Sequence, residues 1–160
     1  MLKHLLPILI LLARAAPATR AQTSCALPVL KVVLKSGEVT AAGAPWNPLV
    51  TLRVGSAADC PEPVRYRFKD AQVSLIRNGR PVLPTLLISQ PWADLSVFTS
   101  SCRPCDHLYV LIPFQNLIVV DAAGNQRPYG KPKAKTGAEK LDITTDEFKG
   151  VVFKWLLTRQ

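Results

Sequence analysis

Cys102-Arg103-Pro104-Cys105 is the sharpest candidate for chemistry in this sequence, and His107 follows two residues later. A C-x-x-C pair performs redox work where a helix N-terminus lowers the pKa of one thiol. Here the pair runs into His107–Ile112, which reads as a strand, and no βαβ pattern surrounds it. Cys25 and Cys60 complete an even set of four cysteines. In an exported chain such a set favours disulfides, with three possible connectivities. The simplest is Cys25–Cys60 with a local Cys102–Cys105 bridge, while a pairing of Cys25 or Cys60 with Cys102 or Cys105 stays open. Zinc would use Cys102, Cys105 and His107 with Cys60 as the fourth ligand. Exported thiols are usually oxidised, however, and C-x-x-C-x-H has no partner half here. We expect structural staples, with no metal and no cofactor.

Other chemistries find less support. His107 is the only histidine outside the first few residues, and no G-x-S-x-G elbow occurs. No glycine loop of the phosphate-binding kind is present. Asp142, Asp146 and Glu147 lie in a polar stretch where solvated charge is the default. Trp46, Trp92 and Trp155 offer a sugar-stacking platform, although tryptophans in a β-domain more often serve the core or its rim. The residues argue against an enzyme and for binding or scaffolding. A thiol-disulfide redox protein using Cys102 and Cys105, and a carbohydrate-binding module, are the alternatives.

The elements that position these residues are short. Residues 1–21 have the three regions of a secretory signal peptide: Lys3 and His4, an apolar run from Leu5 to Leu12, and small residues up to Ala21. The run is about half of the 20 apolar residues a membrane span needs. We expect an exported chain, periplasmic or extracellular, with one domain over residues 22–160 and no membrane span. Loss of Lys3, Arg14 and Arg20 lowers the formal charge from +9 to +6. That is moderately basic, and nucleic acid is not an expected partner of an exported protein.

Alternation marks the strands. Val64, Tyr66 and Phe68 fall on one face and Arg65, Arg67 and Lys69 on the other, as in a half-buried strand. Ala26–Leu34, Leu49–Val54, His107–Ile112, Leu117–Val120 and Phe148–Leu157 are further strand candidates, and Asp70-Ala71 reads as a bulge or bend. Val73 and Leu75 lead into Asn78-Gly79, two residues that tolerate the positive φ of a type I′ hairpin turn. Pro81 and Pro84 make the return through Pro81–Ile88 an edge. Asp94 is placed to cap one helical turn carrying Leu95 and Phe98. A polar, Lys-rich excursion is expected at 126–147. About seven short strands and no long helix give an all-β sandwich.

Three segments carry a family resemblance: AQVSLIRNGRPV (Ala71–Val82), ADLS (Ala93–Ser96) and CRPCDHLYVLI (Cys102–Ile112). They resemble the C-terminal domain of the gliding-motility protein GldM, in which an R-x-G-[RK]-P hairpin is followed by an R-x-G-D turn and a strand. Pro28–Val39 and Tyr66–Lys69 fit the family's opening strands more loosely. The resemblance implies an immunoglobulin-like antiparallel β-sandwich in the periplasm, making protein–protein contact in the gliding and type IX secretion apparatus. Full GldM proteins add a membrane helix and further periplasmic domains, so the expectation here is a free-standing relative that does not transmit force. Cys105 stands where the family's turn has glycine, and a disulfide to Cys102 would fix that turn. The expected partner is a cell-envelope protein, met at exposed strand edges beside the hairpin. Arg77, Asn78, Gly79 and Arg80 at its tip are the candidate contact residues, with Asn78 and Gly79 more simply explained by the turn itself.

Overall fold

Pro28–Leu34 (β1) sets the pattern of the molecule: Leu30, Val32 and Leu34 are buried, while Val29 and Lys31 are exposed. The computed structural model describes residues 27–40, 42–58, 60, 64–130 and 149–159. The expected signal peptide, Cys25 and the segment 131–148 lie outside these described residues.

Strand β1 pairs along most of its length with β4 (Leu49–Ser56). The short β2 (Gly37–Glu38) lies on the other side of β1, and β9 (Trp92–Asp94) lies outside β4, making a four-stranded sheet. The second sheet is built on β10 (His107–Pro113), flanked by β6 (Ala71–Arg77) and β13 (Gly150–Thr158). Its far edges are β3 (Ala44–Pro45), parallel to β13, and the broken return formed by β7 (Arg80–Pro81) and β8 (Leu86–Ile88) against β6. Strands β1, β4 and β9 thus oppose β6, β10 and β13. This is the A-B-E against C-F-G division of an immunoglobulin-like sandwich.

The core lies between the two sheets. Leu30, Val32 and Leu52 from one meet Val73, Leu75, Leu108, Val110 and Ile112 from the other in a single cluster. Burying each such side chain is worth roughly 1.5–3 kcal/mol. The closing strand behaves as its alternation requires: Val151, Trp155 and Leu157 are buried and Lys154 is exposed.

Three features depart from the sequence reading. The bend at Lys69-Asp70 is a change of sheet: β5 (Arg65–Phe68) pairs with β11 (Leu117–Val120), whereas β6 pairs with β10. Strand β12 (Gln126–Pro128) pairs with β11, so the first part of the supposed excursion is ordered structure. Tyr129 explains why, since its ring packs on Tyr66 and Phe114 at centroid distances of 6.1 and 5.3 Å. The third difference concerns the segment after Ile88, which forms strand β9 followed by a single 3-10 turn at Ser96–Phe98. Asp94 Oδ1 accepts the Ser96 N–H at 2.8 Å, and Leu95 and Phe98 are fully buried. Asp94 therefore stabilises the start of a turn, as its position suggested, but within a strand exit.

Candidate functional site

The site is built at the end of the sandwich where β6 leaves its sheet and β10 enters it. The hairpin comes first. Arg77 pairs with Arg80, and between them Asn78 and Gly79 take φ of 49° and 76°. Two consecutive positive φ values match the type I′ turn that the sequence predicts. Asn78 and Gly79 are thus explained by the turn, and Arg80 projects into solvent.

Arg77 does something else. Its Nε and Nη2 donate to Asp106 Oδ1 and Oδ2, each at 2.8 Å, a two-point pairing of guanidinium and carboxylate. Nη2 also donates to the Ser101 carbonyl at 2.7 Å. Asp106 Oδ2 takes a further hydrogen bond from the Arg103 N–H at 2.8 Å. The carboxylate is 3% exposed and the guanidinium side 30%. The Arg77 hydrogen bonds hold the Asp106 pKa below its usual value, although burial opposes them. A charge this buried is tolerable only when paired and hydrogen-bonded, and Asp106 is both.

The clamp fixes the Cys102–Asp106 turn. The Asp106 N–H donates to the Arg103 carbonyl at 3.1 Å, closing a β-turn with Pro104 and Cys105 at its centre. Cys105 has φ of 71°, the left-handed conformation that usually selects glycine at this turn position. The Cys105 N–H and Asp106 carbonyl also pair with Leu157, tying the turn to the end of β13.

The expected Cys102–Cys105 bridge is not formed: both residues carry free thiols. Their surroundings give the reason. Cys102 is half-buried against the core, Cys105 is exposed on the turn, and the Asp106 clamp does the holding expected of a disulfide. Cys60 is disulfide-bonded. Burial and the neighbouring Asp106 push the Cys102 thiol up to about 11, with Arg77 partly offsetting them. A redox thiol of the C-x-x-C kind requires the opposite shift. The zinc reading also loses its fourth ligand, because the bonded Cys60 has no thiolate to give. Among the described residues, no three His, Cys, Asp or Glu side chains come together as a metal-binding group. His107 is a half-buried strand residue between Ile76 and Leu156.

Beside the turn lies a cleft of about 390 Å³. Among the described residues, Trp46, Cys102, Pro104 and Leu157 give it an apolar lining, and Arg103 and Arg159 add two cations. Trp46 arrives from the loop between β3 and β4. Gly43 permits that approach: its φ is +94°, and a Cβ there would collide with the Leu156 carbonyl. The Trp46 Nε1–H is buried without an acceptor among the described residues, as is that of Trp155.

The three tryptophans do not form a platform. Trp155 is in the core, Trp46 lines the cleft, and Trp92 stands on edge strand β9 with 61% of its surface exposed. Register places Trp92 beside Thr51 and diagonal to the exposed Leu49 on the same face. Strand β9 pairs only with β4 among the described residues. Hydrogen bonds from Leu52 N–H to Pro91 and from Leu95 N–H to Pro48 direct the alternate residues of this segment toward β4. The backbone groups of Trp92 and Asp94 therefore point the other way, along an open edge. No motif in the sequence announced this edge, because its exposure depends on which strand β9 joins.

No family model, curated protein or solved structure matches the chain.

Proposed function

We propose that this chain is an exported, non-enzymatic β-sandwich that binds another protein of the cell envelope by accepting one of its strands along β9. The observation that carries this reading is Trp92. A large aromatic side chain on an open edge, with Leu49 beside it, supplies an apolar anchor next to unpaired backbone groups. The basic formal charge, +6 once residues 1–21 are removed, adds attraction to an acidic partner. The contact surface shifts from the hairpin tip to β9, since Arg77 is committed to Asp106 and Asn78-Gly79 to the turn.

The reading extends to a free-standing relative of the GldM C-terminal domain, with a link to gliding motility and type IX secretion. Its support is the immunoglobulin-like strand order, together with the conformation of the two turns that carry the resemblance. Cys105 replaces the glycine of the R-x-G-D pattern and still adopts the left-handed φ that glycine favours.

Photo-crosslinking in the producing cell tests the binding surface. A photoreactive residue at position 92 should give one discrete adduct with a cell-envelope protein. The same residue at Lys154, exposed on the outer face of the other sheet, should give none. Equal labelling from both positions, or none from position 92, would contradict the reading. An adduct with a second copy would make self-association the function of the edge.

A further inference from the structure

We propose that the cleft beside the Cys102–Asp106 turn is a binding site for a small carboxylate with an apolar body. This goes beyond the strand-edge contact, which does not involve the cleft. Its volume of about 390 Å³ falls in the range of small-ligand pockets, roughly 300–1,000 Å³. Trp46 and Leu157 supply aromatic and aliphatic surface for the body of such a ligand. Arg103 and Arg159 bring two guanidinium groups to the same cleft from separate elements.

The charge balance decides the class. No acidic residue lines the cleft among the described residues, and nearby Asp106 is already neutralised by Arg77. The Arg103 and Arg159 guanidinium groups make no ion pair with any described residue. Two guanidinium groups over an apolar surface suit a planar oxyanion, which guanidinium binds through two parallel hydrogen bonds. An acyl carboxylate and the C-terminal carboxylate of an apolar peptide share this chemistry.

The test follows the three indole N–H signals of the ¹⁵N-labelled protein by NMR, with that of Trp46 assigned by Trp46→Phe. Octanoate and N-acetylleucine are titrated against their uncharged counterparts, octanol and N-acetylleucine amide. The Trp46 signal should move with a carboxylate while that of core Trp155 stays, and the neutral counterpart should bind at least tenfold more weakly. Arg159→Glu should weaken carboxylate binding tenfold or more without lowering the melting temperature. The Arg159 side chain is exposed and takes no part in holding Asp106, so folding should not depend on it. Response to octanoate alone supports an acyl ligand, and response to N-acetylleucine alone supports a peptide terminus. Equal binding of charged and neutral probes, indifference to charge reversal, or a Trp46 signal unmoved by both carboxylates would overturn the site.

Discussion

Two turns meet at one end of this sandwich, and they are held in different ways. At Asn78-Gly79 the residues themselves prefer the backbone they adopt, and the turn needs no help from a side chain. At Arg103–Asp106 the backbone asks a cysteine to sit at φ of 71°, and the turn is held through the carboxylate of its own last residue by a guanidinium 29 residues away. A locally encoded turn tolerates a lost contact. A clamped turn does not, and substitutions should separate the two.

The largest effect is expected from Arg77→Met. It strands a carboxylate that is 3% exposed, leaving a buried charge with only the Arg103 N–H beside it. Asp106→Ala should follow, at about 3 kcal/mol in urea unfolding. It also frees the Arg103 N–H and the Ser101–Arg77 contact from their common centre. Acid provides the same test without a substitution that removes atoms. Because the folded pKa of Asp106 is depressed, its contribution is fully present above the unfolded value of about 3.9. It is lost as pH falls through the lower folded value. Asp106→Asn should therefore flatten the decline of melting temperature below about pH 4.

Gly79→Val comes next. A Cβ at this position would meet nothing within 4 Å, so the cost is that of the left-handed backbone alone, about 1–2 kcal/mol. Cys105→Gly should act in the opposite sense and raise stability by up to about 1 kcal/mol, because the turn is already in a glycine conformation. The smallest effect is chemical. Cys105 is exposed and should alkylate readily near neutral pH, while Cys102 should react slowly, its rate climbing until about pH 11. Peptide mapping after timed alkylation reads both. A Cys102 that reacts fastest near pH 7 would return the case to redox chemistry.

The same contrast explains what the sequence could and could not disclose. Strand alternation survives in the structure because it is a period-two property of adjacent residues, as in Arg65–Phe68 and Gly150–Thr158. The hairpin was legible for the same reason. What failed was non-local. Nothing near Cys102 and Cys105 reveals that Arg77 reaches across to Asp106, so a disulfide was the economical expectation. The polar look of Gln126–Pro128 hid a strand whose stability comes from Tyr129 packing on Tyr66 and Phe114. Trp92 could be counted in the sequence, but only the pairing of β9 with β4 puts it on an open edge.

The most direct test of the clamp is a double-mutant cycle on Arg77→Met and Asp106→Asn, followed by urea unfolding. If the guanidinium's main role is to neutralise and hold a buried carboxylate, removing that charge removes the need for it. The double variant should then be no less stable than Arg77→Met alone. If the two losses simply add, the residues act independently, and the turn at Arg103–Asp106 is held by something other than this pair.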